Sequence, residues 1–187
     1  DSDDIVAAGE SLSISAWLNV NQFDQGWQAL IAHGESTDYR IARRGGESNI
    51  MSYAGGAGDI PTDDTTGPDV NDGAWHHVVS ISPAGGAAEL WVDGALVATG
   101  DNTALTDNGS GRLMIGGNPD TAGDEFRTWD GGIDDIGMWN RQLTGDEISL
   151  IHSSGVNGTP LAEIPEPTSG VLALIAAGAL ALLRRRR

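Results

Sequence analysis

The chain has 187 residues, a formal net charge of −17, six tryptophans and no cysteine. It contains no lysine, and four of its ten arginines stand together at the C-terminus. Such an acidic surface repels nucleic acid and anionic lipid headgroups, which argues against nucleic-acid binding, and it attracts cations. No disulfide can hold the fold together, and the length is typical of a single domain.

Short strands are predicted along most of the chain. From Leu12 to Val20, apolar residues alternate with polar residues and Trp17, which is typical of a half-buried strand. Asp93-Gly94 between two apolar runs predicts a tight hairpin. Together these runs predict an antiparallel sandwich or barrel. The other predicted strands, separated by Gly, Asp, Asn and Pro clusters, are Gln28–His33, Tyr39–Arg43, Asn49–Ala54, Trp75–Ser82, Ala88–Val92, Ala95–Thr99, Arg112–Ile115 and Gly132–Trp139.

One short helix is predicted after the last strand. Thr144 and Glu147 have the spacing of a capping box, in which each side chain bonds to the backbone N–H of the other residue. Ile148 and Ile151 then supply an apolar stripe. The helix should have about two turns and end near Gly155, with a linker following it.

The C-terminal 23 residues differ from the rest in composition. Pro165, Glu166 and Pro167 precede thirteen residues without charge or hydroxyl, Val171–Leu183. Thirteen helical residues rise about 20 Å, against about 30 Å for a bilayer core, so we expect a short transmembrane helix. The cluster that follows should stay cytoplasmic as a membrane stop, because positive charge resists translocation. It consists of Arg184, Arg185, Arg186 and Arg187.

These three parts, in this order, resemble the PEP-CTERM sorting signal of Gram-negative bacteria. The resemblance implies an exosortase-like membrane protease as partner and export across the inner membrane. The destination would be the cell envelope, cell surface or extracellular matrix, with membrane anchoring that is transient and ends at cleavage. Because export needs a signal peptide and none precedes Asp1, we interpret the sequence as a mature form or a fragment.

The preceding part resembles the LamG-like domain of the concanavalin A-like lectin/glucanase superfamily. The resemblance implies an all-β fold, an antiparallel jellyroll β-sandwich, and a possible Ca²⁺ ion. It divides the chain into a jellyroll domain (1–156), a linker (157–164) and the sorting signal (165–187). The first strand usual in this family is shortened or missing here. The matching segments are Ser13–Trp17, Gly73–Val79, Glu89–Gly94, Leu113–Gly116, Gly132–Ile136 and Met138–Thr144.

Few residues suggest catalysis or metal binding. His76 and His77 should point to opposite faces of their strand and cannot chelate together. No Glu-x-Asp-x-x-Glu pattern of the related glucanases is present, and Asp134 and Asp135 should also face opposite ways. Under regular alternation Asp134 lies on the same face of its strand as the apolar residues Ile136 and Met138, so we expect its carboxylate to point into the core. A buried carboxylate needs hydrogen bonds from backbone amides or an arginine, or coordination to a Ca²⁺ ion.

The loop from 118 to 131 is the candidate ligand surface, because sugar rings stack on aromatic faces and their hydroxyls bond to planar polar groups. Its candidate residues are Asp124, Phe126, Arg127, Trp129 and Asp130, whereas Trp17, Trp75 and Trp91 should pack. A solvated acidic loop is the alternative. We therefore expect an exported, non-catalytic domain that binds polysaccharide or an envelope or matrix protein. The alternatives are a glycoside hydrolase or lyase of the superfamily and a passive matrix or surface component.

Overall fold

The computed structural model describes residues 11–34, 38–55, 58–101, 105, 112–119 and 126–164. Within these residues the chain forms nine strands, a helix (α1) and a 3-10 turn, Leu161–Glu163. Every predicted strand is present, with ends that differ by at most a few residues. The bounds are β1 Leu12–Val20, β2 Ala29–Ala32, β3 Tyr39–Arg43, β4 Met51–Gly55, β5 Trp75–Ser82, β6 Ala88–Val92, β7 Ala95–Gly100, β8 Met114–Ile115, β9 Gly131–Trp139 and α1 Gly145–Val156.

The strands form two antiparallel sheets that pack face to face. One has five strands in the order β7-β6-β5-β1-β9, and the other has four in the order β4-β3-β2-β8. The core between them includes Ile14 and Leu18 of β1 with Leu30 and Ile41 of the second sheet. This arrangement confirms the all-β antiparallel jellyroll sandwich, and it places β1 at the centre of the larger sheet between β5 and β9.

The outer face of the five-stranded sheet carries a second, smaller core. Val79 and Ile81 of β5 pack there against Ile148 and Ile151 of α1. Leu161, in the segment predicted to be a linker, also packs against this cluster. The centre of the sheet is therefore buried on both faces, with α1 as its outer cover.

The predicted turn and helix signals are both realised. Asp93 and Gly94 have φ angles of 52° and 76°, the left-handed backbone that a tight hairpin requires. Thr144 caps α1, and both hydrogen bonds of the capping box are present. The helix runs through Val156 and has 12 residues, about one turn more than predicted.

A β-bulge interrupts the pairing of β1 with β9. Ser15 pairs with Gly137 and Trp17 with Asp134, so β9 has one extra residue in this interval. Asp135 takes the left-handed conformation, with φ 46°. As a result Ile133 and Ile136 both pack against the core between the sheets. The alternation of β9 thus changes phase at this point.

The predicted sorting motif Pro165–Pro167, transmembrane helix and arginines 184–187 lie outside the described residues. Within the part of the chain that is described, no helix is long and apolar enough to cross a membrane.

Candidate functional site

The predicted ligand loop is held to the sheets by its backbone. Phe126 O accepts a hydrogen bond from Asn118 N at 2.7 Å, and Arg127 O accepts one from Ala29 N at 2.8 Å. Trp129 N donates to Gly116 O at 3.0 Å. The segment 126–130 is therefore fixed at the end of the sandwich where β2, β8 and β9 meet.

The side chains of this loop differ in their surroundings. Trp129 is partly buried, packs against the core and meets Phe23 edge-on at 5.7 Å. Its indole Nε1 is buried and has no hydrogen-bond partner among the described residues. Asp130 is exposed, and its Oδ1 accepts a bond from Asn21 Nδ2 at 3.2 Å. The structure thus brings four of the five residues together, Asp124 lies outside the described residues, and their ligand role stays a prediction.

The expectation that Asp134 points inward is wrong. Its side chain is exposed, because the bulge at Asp135 gives the inward positions to Ile133 and Ile136. The expectation that Asp134 and Asp135 face opposite ways is also wrong, since both line one cavity on the outer face. The sequence signal for the bulge is the pair of adjacent carboxylates, because strict alternation would bury one of them in the core.

That cavity has a volume of about 690 Å³. Trp17 and Trp75 form its aromatic wall and Asp134 and Asp135 its acidic wall, while the end of α1 and the turn after it, residues 155–160, close the rest. Trp75 is 49% exposed, in contrast to the packing role expected for it. Its position at the first residue of β5, on the outer phase and after a glycine turn, is the signal for this exposure.

Trp17 is fixed beneath the helix. Its ring lies 5.2 Å from the ring of His77 and stacks on His152 at 5.8 Å between centroids. His77 is fully buried, and its Nε2 bonds to Ser15 Oγ at 2.8 Å. Burial and the nearby His152 lower the pKa of His77 to about 4, so the imidazole is neutral near pH 7.

His76 lies on the other face, as predicted. Its Nδ1 is 2.8 Å from Asp93 Oδ2 and its Nε2 is 3.1 Å from Asp72 Oδ1. Burial opposes the charged form, but the hydrogen bonds to the two carboxylates prevail and raise the pKa of His76 above its ordinary value. Asp93 also accepts the amide of His77 at 2.9 Å, so this group ties the β6–β7 hairpin to β5.

The acidic loop between β4 and β5 is organised by its own carboxylates. Asp63 accepts the amides of Thr65 and Thr66 at 2.8 and 2.7 Å, and Asp69 accepts the amide of Asn71 at 2.8 Å. These are turn-forming bonds of the kind that Asp makes to residues two and three positions on. They favour a structural role for this loop.

Buried arginine is neutralised in the four-stranded sheet. Arg40 bonds to Asp59 at 2.6 Å and lies 4.8 Å from the ring centroid of Trp27. Arg43 donates instead to the backbone carbonyls of Ser48 and Gln25 at 2.7 and 2.9 Å.

The described residues contain no cluster of three or more His, Asp or Glu side chains that could hold a metal ion. Ca²⁺ takes six to eight oxygen ligands, and among the described residues that line its cavity Asp134 has Asp135 as the only other carboxylate. Calcium binding stays a prediction that this geometry does not favour.

The two-layer jellyroll defines a lectin-like class of β-sandwich. The model of the Concanavalin A-like lectin/glucanases superfamily matches residues 2–149, and the chain belongs to this family. A model of the PEP-CTERM protein-sorting motif matches residues 163–187. This signal indicates export and membrane-anchored sorting in Gram-negative bacteria.

Similar proteins come from distant sources. The Sushi, von Willebrand factor type A, EGF and pentraxin domain-containing protein 1 of Mus musculus is 32% identical over 96 residues, which are 48% of this chain and 3% of that protein. A putative carbohydrate binding protein from Bacteroides ovatus shares the fold with a TM-score of 0.61 and 17% identity, over 78% of this chain and 41% of that chain.

Domain 4 of AbnA, a GH43 extracellular arabinanase from Geobacillus stearothermophilus solved in complex with arabinotriose, has a TM-score of 0.57 and 18% identity. The match covers 79% of this chain and 68% of that domain. At such identities these structures show the shared fold.

Proposed function

We propose that this chain is an exported, non-catalytic binding domain for polysaccharide or for a protein of the cell envelope or extracellular matrix. The observation that carries this proposal is the outer-face cavity, which half-exposed Trp75 lines together with the carboxylates of Asp134 and Asp135. An aromatic wall with a few polar groups is the usual composition of a sugar site, since the ring supplies contact area and the polar groups supply orientation.

The similar structures support a binding role. One is described as a putative carbohydrate binding protein, and another is a domain in complex with arabinotriose. The chain also lacks the strand pattern of paired carboxylates found in the related glucanases. These observations favour binding without bond cleavage.

The C-terminal signal supplies the route of delivery. An exosortase-like membrane protease would recognise Pro165, Glu166 and Pro167, cut the chain and release the domain to the envelope, cell surface or matrix. The mass of the exported protein tests this step. If arginines 184–187 remain attached at steady state, the cleavage proposal is wrong.

A glycan array and a pull-down from envelope extracts, with and without EDTA, test the binding function of the full chain in mild detergent. We expect a glycan or a defined protein to be retained, and loss of retention in EDTA would indicate that Ca²⁺ takes part. Self-association with no ligand would instead indicate a passive surface component. Hydrolysis of a glucan, abolished by changing one carboxylate, would indicate an enzyme.

A further inference from the structure

We propose that the outer-face cavity binds an oligosaccharide that carries free amino groups. This inference rests on the proposed binding function and names the ligand class and the site. The cavity, of about 690 Å³, lies on the outer face of the five-stranded sheet, and its described lining residues do not include the loop 126–130. Its volume falls within the range of about 300–1,000 Å³ that is usual for small-ligand sites.

Two glycines make room for the indoles of the aromatic wall. The indole of Trp75 lies directly on Gly132, where a Cβ atom would be 2.6 Å from the ring. Gly155 in α1 likewise makes room for Trp17, since a Cβ there would be 2.5 Å from that ring. Both indoles thus pack closely on a glycine backbone, and the half-exposed Trp75 offers an apolar face for the C–H face of a pyranose ring.

Backbone amides hold the two carboxylates of the acidic wall. Asp134 Oδ1 accepts the amide of Asp135 at 2.8 Å, which orients the carboxylate. Its Oδ2 has no protein partner in the described parts of the chain. Asp135 is held by the bulge and by the amide of Leu161, which donates to Oδ2 at 3.2 Å.

The charge of the cavity selects a cation. The lining residues that the structure describes include two carboxylates and neither arginine nor lysine. The C-terminal end of α1, the negative end of the helix dipole, adjoins them without a basic residue in its last turn. An ammonium group can be stabilised here by the carboxylates and by the faces of the indoles.

This combination distinguishes amino sugars from other ligands. A bare divalent cation needs more oxygen ligands than two carboxylates provide, and it gains nothing from contact with Trp75. A neutral sugar would stack on the aromatic wall and donate hydroxyl hydrogen bonds to the carboxylates, but it would bring no positive charge to offset theirs. An unacetylated hexosamine presents both a stacking face and an ammonium group, so it uses both walls.

Isothermal titration of the full chain in mild detergent with a glucosamine tetramer tests this proposal. The fully N-acetylated tetramer is the matched ligand, because it has the same ring and linkage without the charge. We expect the unacetylated tetramer to bind at least about tenfold more tightly, and Asp134→Asn to weaken it by about tenfold. Trp75→Ala should weaken both tetramers, whereas Trp75→Phe should retain part of the affinity.

Asp146→Asn is the control variant, because Asp146 is an exposed residue of the first turn of α1 and its loss changes the net charge equally. It should bind like the unaltered chain, and unchanged thermal unfolding of each variant will show that the fold is retained. Equal binding of both tetramers, or an Asp134→Asn variant that binds normally, overturns the amino-sugar site. If other glycans still bind in that case, the broader binding function stands; if none do, it fails as well.

Discussion

Acidification should destabilise the domain through one buried imidazole. His77 is fully buried, its neutral ring is hydrogen-bonded to Ser15, and its pKa is lowered from 6.5 to about 4. The unfolded chain therefore binds a proton at pH 5 that the folded chain does not, so stability falls as the pH falls below about 6.5. With these two pKa values the contribution of His77 alone should lower the free energy of unfolding by about 2 kcal/mol between pH 7 and pH 5.

The His77→Gln variant isolates this effect, because glutamine can bond to Ser15 but does not titrate. Urea unfolding followed by tryptophan fluorescence at several pH values between 5 and 8 gives the free energy of unfolding of both proteins. The unaltered chain should lose about 2 kcal/mol more than the variant on going from pH 7 to pH 5. Titration of the other groups is common to both proteins and cancels in the difference. Parallel pH profiles would refute the reasoning.

Three further changes probe the outer face and the hairpin. Gly155→Ala should cost about 1–3 kcal/mol in urea unfolding, since its Cβ would clash with Trp17, whereas Gly145→Ala, with its nearest neighbour atom at 3.4 Å, should be nearly neutral. Ile148→Ala should cost about 2–5 kcal/mol because this side chain of α1 is fully buried against the outer face of the sheet, and a loss below 1 kcal/mol would contradict the second core. His76→Asn should destabilise more at pH 6 than at pH 9: the folded pKa is raised, so the stabilisation is complete below pH 6.5 and lost as pH rises through the folded pKa. Equal losses at the two pH values would show that His76 contributes no charge-dependent stability.

The strands were predictable because each buries a regular set of side chains. In β1, Leu12, Ile14, Ala16 and Leu18 alternate with mostly polar residues, so all four side chains lie on one face of the sheet and are buried. The turn at Asp93-Gly94 and the cap at Thr144 were predictable for a related reason, since each depends on neighbours within three residues. Local chemistry therefore accounts for most of the fold.

The candidate site depends on contacts that local chemistry does not encode. Asp134 reaches the surface only because β9 has one residue more than β1 between two pairing positions. Trp75 stands beside it only because Gly132, 57 positions further along the chain, leaves room for the ring. Alternation taken from the apolar residues on one side of such a bulge gives the wrong phase on the other side, which is why the phase of Ile136 and Met138 misplaces Asp134.

The central place of β1 in its sheet bears on when the domain can fold. Ser13 of β1 pairs with Trp139 of β9. One edge of β1 therefore stays without its hydrogen-bond partner until β9, the last strand, has joined the sheet. In a chain that crosses a membrane with its N-terminus leading, β1 emerges early and its partner β9 emerges almost at the end. Pairing over such a sequence separation is slow, because a long loop must close first. The sandwich can thus be completed only when nearly all of residues 11–164 are across. The matched sorting motif, which starts at residue 163, follows immediately behind.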